Sequence, residues 1–151
     1  MATITVGASG GDQTTLAAAI AAASNGDTIS ILANFVHDNS TVTVNKDDLV
    51  IESATDTAAD AVISSNLSKT FSLSNDGTDF KNLTITNTYT STGYALYANK
   101  EFTMADCIVS CSHDTLGYGI IHPKDGSKIE RTQFAGGQRG IGLATTSQHV
   151  T

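Results

Sequence analysis

Tryptophan is absent from this chain, proline occurs once, and aromatic side chains make up only 6% of it. Threonine, serine, asparagine, aspartate and glycine fill much of the remainder, a profile that disfavours long helices and favours short strands joined by tight turns. Basic residues are scarce: eight Lys and Arg stand against 15 Asp and Glu, for a net charge of −7. The basic residues are scattered singly, so no patch could neutralise phosphates and nucleic-acid binding is excluded as an expectation. Only two cysteines are present, Cys107 and Cys111. On an extended strand they lie about 13 Å apart, too far for a disulfide, and their spacing with His113 and His122 matches no zinc pattern, so neither metal nor cofactor is expected. The opening "MATITVGASGG" lacks a basic start and an apolar run, which argues against a signal peptide and for synthesis in the cytoplasm. No stretch has the length and apolarity of a membrane span.

A chain of 151 residues has the length of one domain and buries roughly two thirds of its unfolded surface. "TITV" (3–6) alternates as a short strand. "QTTLAAAIAAAS" (13–24) is the one helix signal, with Leu16, Ile20 and Ala23 on one face and "SNGD" as its stop. Beyond it, runs of four to six β-like residues alternate with polar turns. "GYAL" at Gly93, "GYGI" at Gly117 and "GIGL" at Gly140 follow one another at 24 and 23 residues, and "TISIL", "DLVIES" and "TFSLS" extend that series upstream. A second series runs in step, through "TVTV", "AVISS", "FKNLTITN", "MADCIVSC" and "IERTQFAG". Two interleaved strand series sharing one period near 22 residues point to stacked coils rather than to a sandwich. The expectation is an all-β, right-handed parallel β-helix of about six coils with an N-terminal capping α-helix. Residues 1–27 form the strand and cap, 28–143 the coils and 144–151 a C-terminal tail. Ile29, Leu49, Phe71, Leu96 and Ile120 are expected to stack inward, and Asp106, which aligns with Asn82 and Arg131, to pair with Arg131 on a surface ladder.

The stretch "ITVGASGGDQTTLAAAIAAASNGDTISIL", followed by "VTVNKDDLVIES", resembles the opening of the pectin-lyase-like β-helices, the pectin methylesterases above all. The resemblance implies where chemistry would sit. The family's Gln-Asp-Thr-Leu segment, which supplies an oxyanion-hole glutamine and a general acid, is matched by "HDTL": Asp114 takes the acid's place and His113 the glutamine's. The position of the family's nucleophilic aspartate falls on Arg139, or on Gly140 in the adjacent register, and that of its other glutamine on Thr92. One carboxylate cannot both attack and donate a proton, so the implied catalytic set is incomplete.

Other local patterns read as structure. Ser112, His113 and Asp114 are consecutive and point to alternate sides, unlike a triad, whose members converge from separate elements. The sequons "NST", "NLS" and "NLT" follow from composition, and the Thr-X-Thr runs drift between coils. The leading expectation is therefore a non-catalytic structural or surface-display protein. It would be a phage virion component of the capsid-decoration, tail-fibre or spike kind, acting as a trimer, by end-to-end stacking, or within a larger assembly. The alternative is a carbohydrate-active enzyme (esterase or lyase) or glycan-binding module, with a surface glycan held beside Asp114, His113, Tyr118 and Tyr94.

Overall fold

Short β-branched runs interrupted every few residues by Asn, Asp or Gly form strands too short to stand alone, so each must find its partner one coil away. The computed structural model describes residues 1–112, 117–137 and 139–142, position 139 by its backbone only. His113, Asp114 and the tail at 144–151 lie outside the described residues.

All the ladder pairs are parallel, and they form three sheets. Sheet I has six strands, one per coil: β1 (Thr3–Val6), β2 (Thr28–Ile31), β4 (Val50–Ser53), β7 (Thr78–Lys81), β10 (Phe102–Ala105) and β13 (Lys128–Glu130). Sheet II contains β5 (Val62–Ser65), β8 (Thr84–Asn87), β11 (Ile108–Cys111) and β14 (Gln133–Gly136). Sheet III contains β3 (Val42–Val44), β6 (Lys69–Leu73), β9 (Tyr94–Tyr97), β12 (Tyr118–Ile121) and β15 (Arg139–Gly142). The chain visits I, II and III in turn, which makes a parallel β-solenoid of about six coils.

The two strand series expected from the sequence are thus three sheets. "TISIL" and "DLVIES" lie in sheet I, whereas "TFSLS", "GYAL", "GYGI" and "GIGL" lie in sheet III. "FKNLTITN" is two strands, because the corner between sheets I and II takes only two residues. Its first residue is in the left-handed region in each of the three coils that have this short corner: Asn82 (φ 54°), Asp106 (55°) and Arg131 (44°); the β4–β5 connection is longer, residues 54–61, and carries Asp56 (55°) in the same conformation. Asn and Asp tolerate that conformation better than most residues. Arg131 is the exception, and it is gripped at both ends: Nε and Nη2 donate to the two Asp106 carboxylate oxygens at 2.6 and 2.7 Å, the pairing expected from the sequence. That hydrogen-bonded guanidinium holds the Asp106 carboxyl below the usual carboxylate range.

The expected inward column also divides. Ile29, Ile51, Phe80, Met104 and Ile129 stack in sheet I, and Val42, Phe71, Leu96, Ile120 and Ile141 in sheet III. Leu49, placed in that column by sequence, is fully buried but lies just before β4. Ile63, Ile85, Val109 and Phe134 line sheet II. Phe80 bridges two columns, its ring edge-on to Phe71 at 5.2 Å and to Phe102 at 6.4 Å. Both thiols are buried, and burial pushes Cys107 up to about 11, which makes it an inert core group.

The helix is shorter than its sequence signal. α1 spans Leu16–Ala22, because the Thr15 hydroxyl caps it by accepting from the Ala18 N–H at 3.2 Å. Gln13 instead bridges to Val6. Leu16, Ala19 and Ile20 are buried, and α1 packs on β1 and β3, the end strands of sheets I and III. Sheet II has no strand in the coil of β2 and β3; residues 32–41 form a loop there, and Phe35 enters the core.

Candidate functional site

A flat strand alternates its side chains, as β3 does, but β6, β9 and β12 of sheet III do not. In β9, Tyr94 faces out, Ala95 and Leu96 are both buried, and Tyr97 faces out again. β12 repeats this with Tyr118, Gly119, Ile120 and Ile121, and β6 begins the same way with Lys69, Thr70, Phe71 and Ser72. Two consecutive inward residues rotate the strand about its axis, so side chains three apart share the outer face. The ladder registers Lys69 with Tyr94 and Tyr94 with Tyr118, skipping Thr70, Ala95 and Gly119. Position 119 must be small: a Cβ there would lie 2.7 Å from the Gly140 carbonyl oxygen and 2.9 Å from Phe134 Cδ1.

Beneath the corner between sheets II and III runs a buried polar column. Ser65, Asn87 and Cys111 are in register. Asn87 Nδ2 donates to the Leu67 carbonyl at 2.8 Å and to Thr70 Oγ1 at 3.2 Å, while its Oδ1 accepts from the Tyr89 N–H at 3.1 Å. Thr70 Oγ1 donates to the Thr86 carbonyl at 2.9 Å, and Cys111 Sγ to the Gly93 carbonyl at 3.6 Å. Asn87 also explains the glycine at 93, where a Cβ would fall 2.3 Å from Asn87 Oδ1. The column fixes the turn that leads into β9, and through it the outer face.

On that face four rings gather. Tyr94 and Tyr118 lie 6.0 Å apart between centroids, Tyr94 and Tyr97 5.9 Å, and Tyr97 and His122 5.6 Å edge-on. Lys69 Nζ sits 3.8 Å from the Tyr97 ring centroid, a cation–π contact. All five side chains are partly exposed. The five strands of sheet III, VTV, KTFSL, YALY, YGII and RGIG, carry no Asp or Glu. Sheet I carries both signs in its strands, and sheet II neither.

Of the residues singled out from sequence, Tyr94 and Tyr118 come together here. Arg139 is in backbone register with Tyr118. His113 and Asp114 lie outside the described residues, so the acid position implied by the resemblance has no geometry to set beside the rings. Sequence reasoning missed Lys69, Tyr97 and His122. Among the described residues, no three His, Cys, Asp or Glu side chains gather to hold a metal ion, and no helix is long and apolar enough to cross a membrane.

No protein-family model and no curated protein matches the chain. Solved structures do. The pectin methylesterase from Aspergillus niger in its penultimately deglycosylated form superposes with a TM-score of 0.63 at 18% identity, over 96% of this chain and 59% of that one. The deglycosylated form of the same enzyme gives a TM-score of 0.56 at 22% identity, over 91% and 56%. The chain therefore spans under three fifths of the length of these neighbours, and at such identity the likeness is one of fold. Coil number, strand order and these superpositions agree that the chain has the pectin-lyase-like parallel β-helix fold.

Proposed function

We propose that this chain is a glycan-binding β-solenoid whose ligand lies on the outer face of sheet III. The observation that carries the reading is the cluster of Tyr94, Tyr97, Tyr118 and His122 with Lys69 beside it. A sugar ring offers an apolar C–H face that packs on an aromatic ring and a rim of hydroxyls that needs polar neighbours, and this face offers both. A neighbour in fold that is a pectin methylesterase supports a carbohydrate as the ligand class. Binding rather than turnover is proposed because arginine, at position 139, stands where the resemblance would put the attacking carboxylate. The virion expectation gains no support from these likenesses.

A glycan array probed with the 151-residue protein tests the reading. Wild type is expected to retain at least one oligosaccharide, and Tyr94→Ala/Tyr118→Ala to weaken that binding by ~10-fold or more, since stacked rings contribute on the order of 1 kcal/mol each. Retention of no glycan, or equal binding by the double variant, would sink it.

A further inference from the structure

We propose that Tyr94 and Tyr118 form an oxidative cross-linking site, where hydrogen peroxide and a peroxidase join the two rings into a dityrosine that staples one coil to the next. The inference goes beyond the glycan reading and does not depend on it. Its first support is register. Tyr94 of β9 and Tyr118 of β12 are Cα partners in a parallel ladder, so their backbones stand about 4.8 Å apart and their side chains leave the sheet in the same direction. The rings lie 6.0 Å apart between centroids, with their planes 37° from parallel. Both side chains are partly exposed, so a soluble oxidant reaches them.

Its second support is that the fold favours this pair over the chain's other tyrosines, of which there are four in all. Tyr97 is 5.9 Å from Tyr94 but belongs to the same strand, three positions and about 10 Å of backbone away. Its register partners in the neighbouring coils are Ser72 and Ile121. Lys69 Nζ also sits 3.8 Å from the centre of the Tyr97 ring, a positive charge that opposes removal of an electron from it. Tyr89 makes no ring contact among the described residues. The residues that flank the pair in register are Lys69 on one side and the arginine at position 139 on the other, so the ladder is two tyrosines long and yields one link. The usual targets of peroxide are sealed in the core, since Cys107, Cys111 and Met104 are all buried. Met1 is exposed, but it takes up an oxygen atom rather than losing hydrogen.

In the reaction each phenol loses one electron and one proton to give a phenoxyl radical. The two radicals couple through one Cε carbon of each ring, and the hydrogens on those carbons pass to the oxygens as the rings regain aromaticity. The protein loses two hydrogen atoms in all, and these two electrons and two protons convert one hydrogen peroxide into two waters. Both rings and both hydroxyls stay on the outer face of sheet III. With both cysteines free, no disulfide ties one coil to another. As with a disulfide, the link stabilises by restricting the unfolded chain, and closing a loop of one coil is expected to raise Tm by about 10 °C.

The test treats the 151-residue protein, at micromolar concentration, with a peroxidase and hydrogen peroxide. Dityrosine fluorescence is expected, and no tryptophan is present to obscure it. It should reside in a species that runs as a single chain on a denaturing gel and, once oxygen uptake at Met1 is counted, is lighter by two hydrogen atoms. Tyr94→Phe and Tyr118→Phe, which keep the ring packing, should each lose the fluorescence, whereas Tyr89→Phe should keep it. In urea, where the register is gone, the single-chain product should be lost. The linked protein should melt about 10 °C above the unlinked one. Absence of dityrosine in the folded wild type, fluorescence that survives in either Tyr94→Phe or Tyr118→Phe, or links found only between chains would each overturn the proposal. The glycan reading stands or falls separately, on the array.

Discussion

Phe80→Ala is expected to destabilise the protein by about 4 kcal/mol, lowering Tm by about 10 °C. Phe80 is fully buried and belongs to the sheet I column, yet its ring meets Phe71 of sheet III on one side and Phe102 of the next coil on the other. Truncation removes the transfer free energy of a whole ring and leaves a void that the rigid coils on either side cannot close. A solenoid is poorly able to relax there, because each backbone is pinned by parallel ladders above and below. Phe80→Leu keeps most of the volume and should cost about 1–1.5 kcal/mol. Thermal and urea unfolding of the three proteins check this. If Phe80→Ala costs no more than Phe80→Leu, the column is looser than the packing implies.

The same ring marks where sequence reading stopped. The period of the coils was legible because turn residues return at a nearly fixed distance, and the strand–helix–strand opening was legible because α1 alone has helical spacing. The third sheet was not. A two-residue corner such as Asn82–Leu83 leaves no composition change between β7 and β8, so the run reads as one strand; only the positive φ of Asn82 divides it. Once the corner is missed, Ile29 and Phe71 look equivalent although they belong to different sheets.

The site was legible to a similar depth. Tyr94 and Tyr118 recur at the coil period, so the sequence places them one above the other. Strict alternation would put Tyr97 on the opposite side from Tyr94, and it is the paired inward residues Ala95 and Leu96 that return it to the same face. His122 and Lys69 reach the cluster across coils, the first from a turn position and the second by laying its ammonium over a ring in the next coil. No spacing rule within one strand announces either contact. The opposite holds for Asp106 and Arg131, whose positions in successive coils foretold their ion pair because both sit at the same corner.

Asn87→Leu is expected to cost about 3 kcal/mol and to weaken any ligand of the sheet III face along with it. The substitution is apolar and close in volume, so burial alone would predict little loss. The cost arises from the partners left behind: the Leu67 carbonyl loses its 2.8 Å donor, the Tyr89 N–H its 3.1 Å acceptor, and Thr70 Oγ1 a further contact, all beneath the corner. A buried polar group deprived of its partner costs about 1–3 kcal/mol, whereas the bond itself contributes less than that net. Leucine also cannot shrink away from Gly93, whose missing Cβ is the space Asn87 Oδ1 occupies, so the turn into Tyr94 must move. Thr70→Val removes one hydroxyl of the same network and should cost about 1–2 kcal/mol, and the two changes should couple by about 1 kcal/mol in a double-mutant cycle. Chemical denaturation measures the stabilities, and amide exchange at Tyr89 and Tyr94 separates a local loosening of the corner from global loss. If Asn87→Leu is within about 0.5 kcal/mol of wild type, the column is dispensable packing, and the aromatic face owes its geometry to the ladders of sheet III alone.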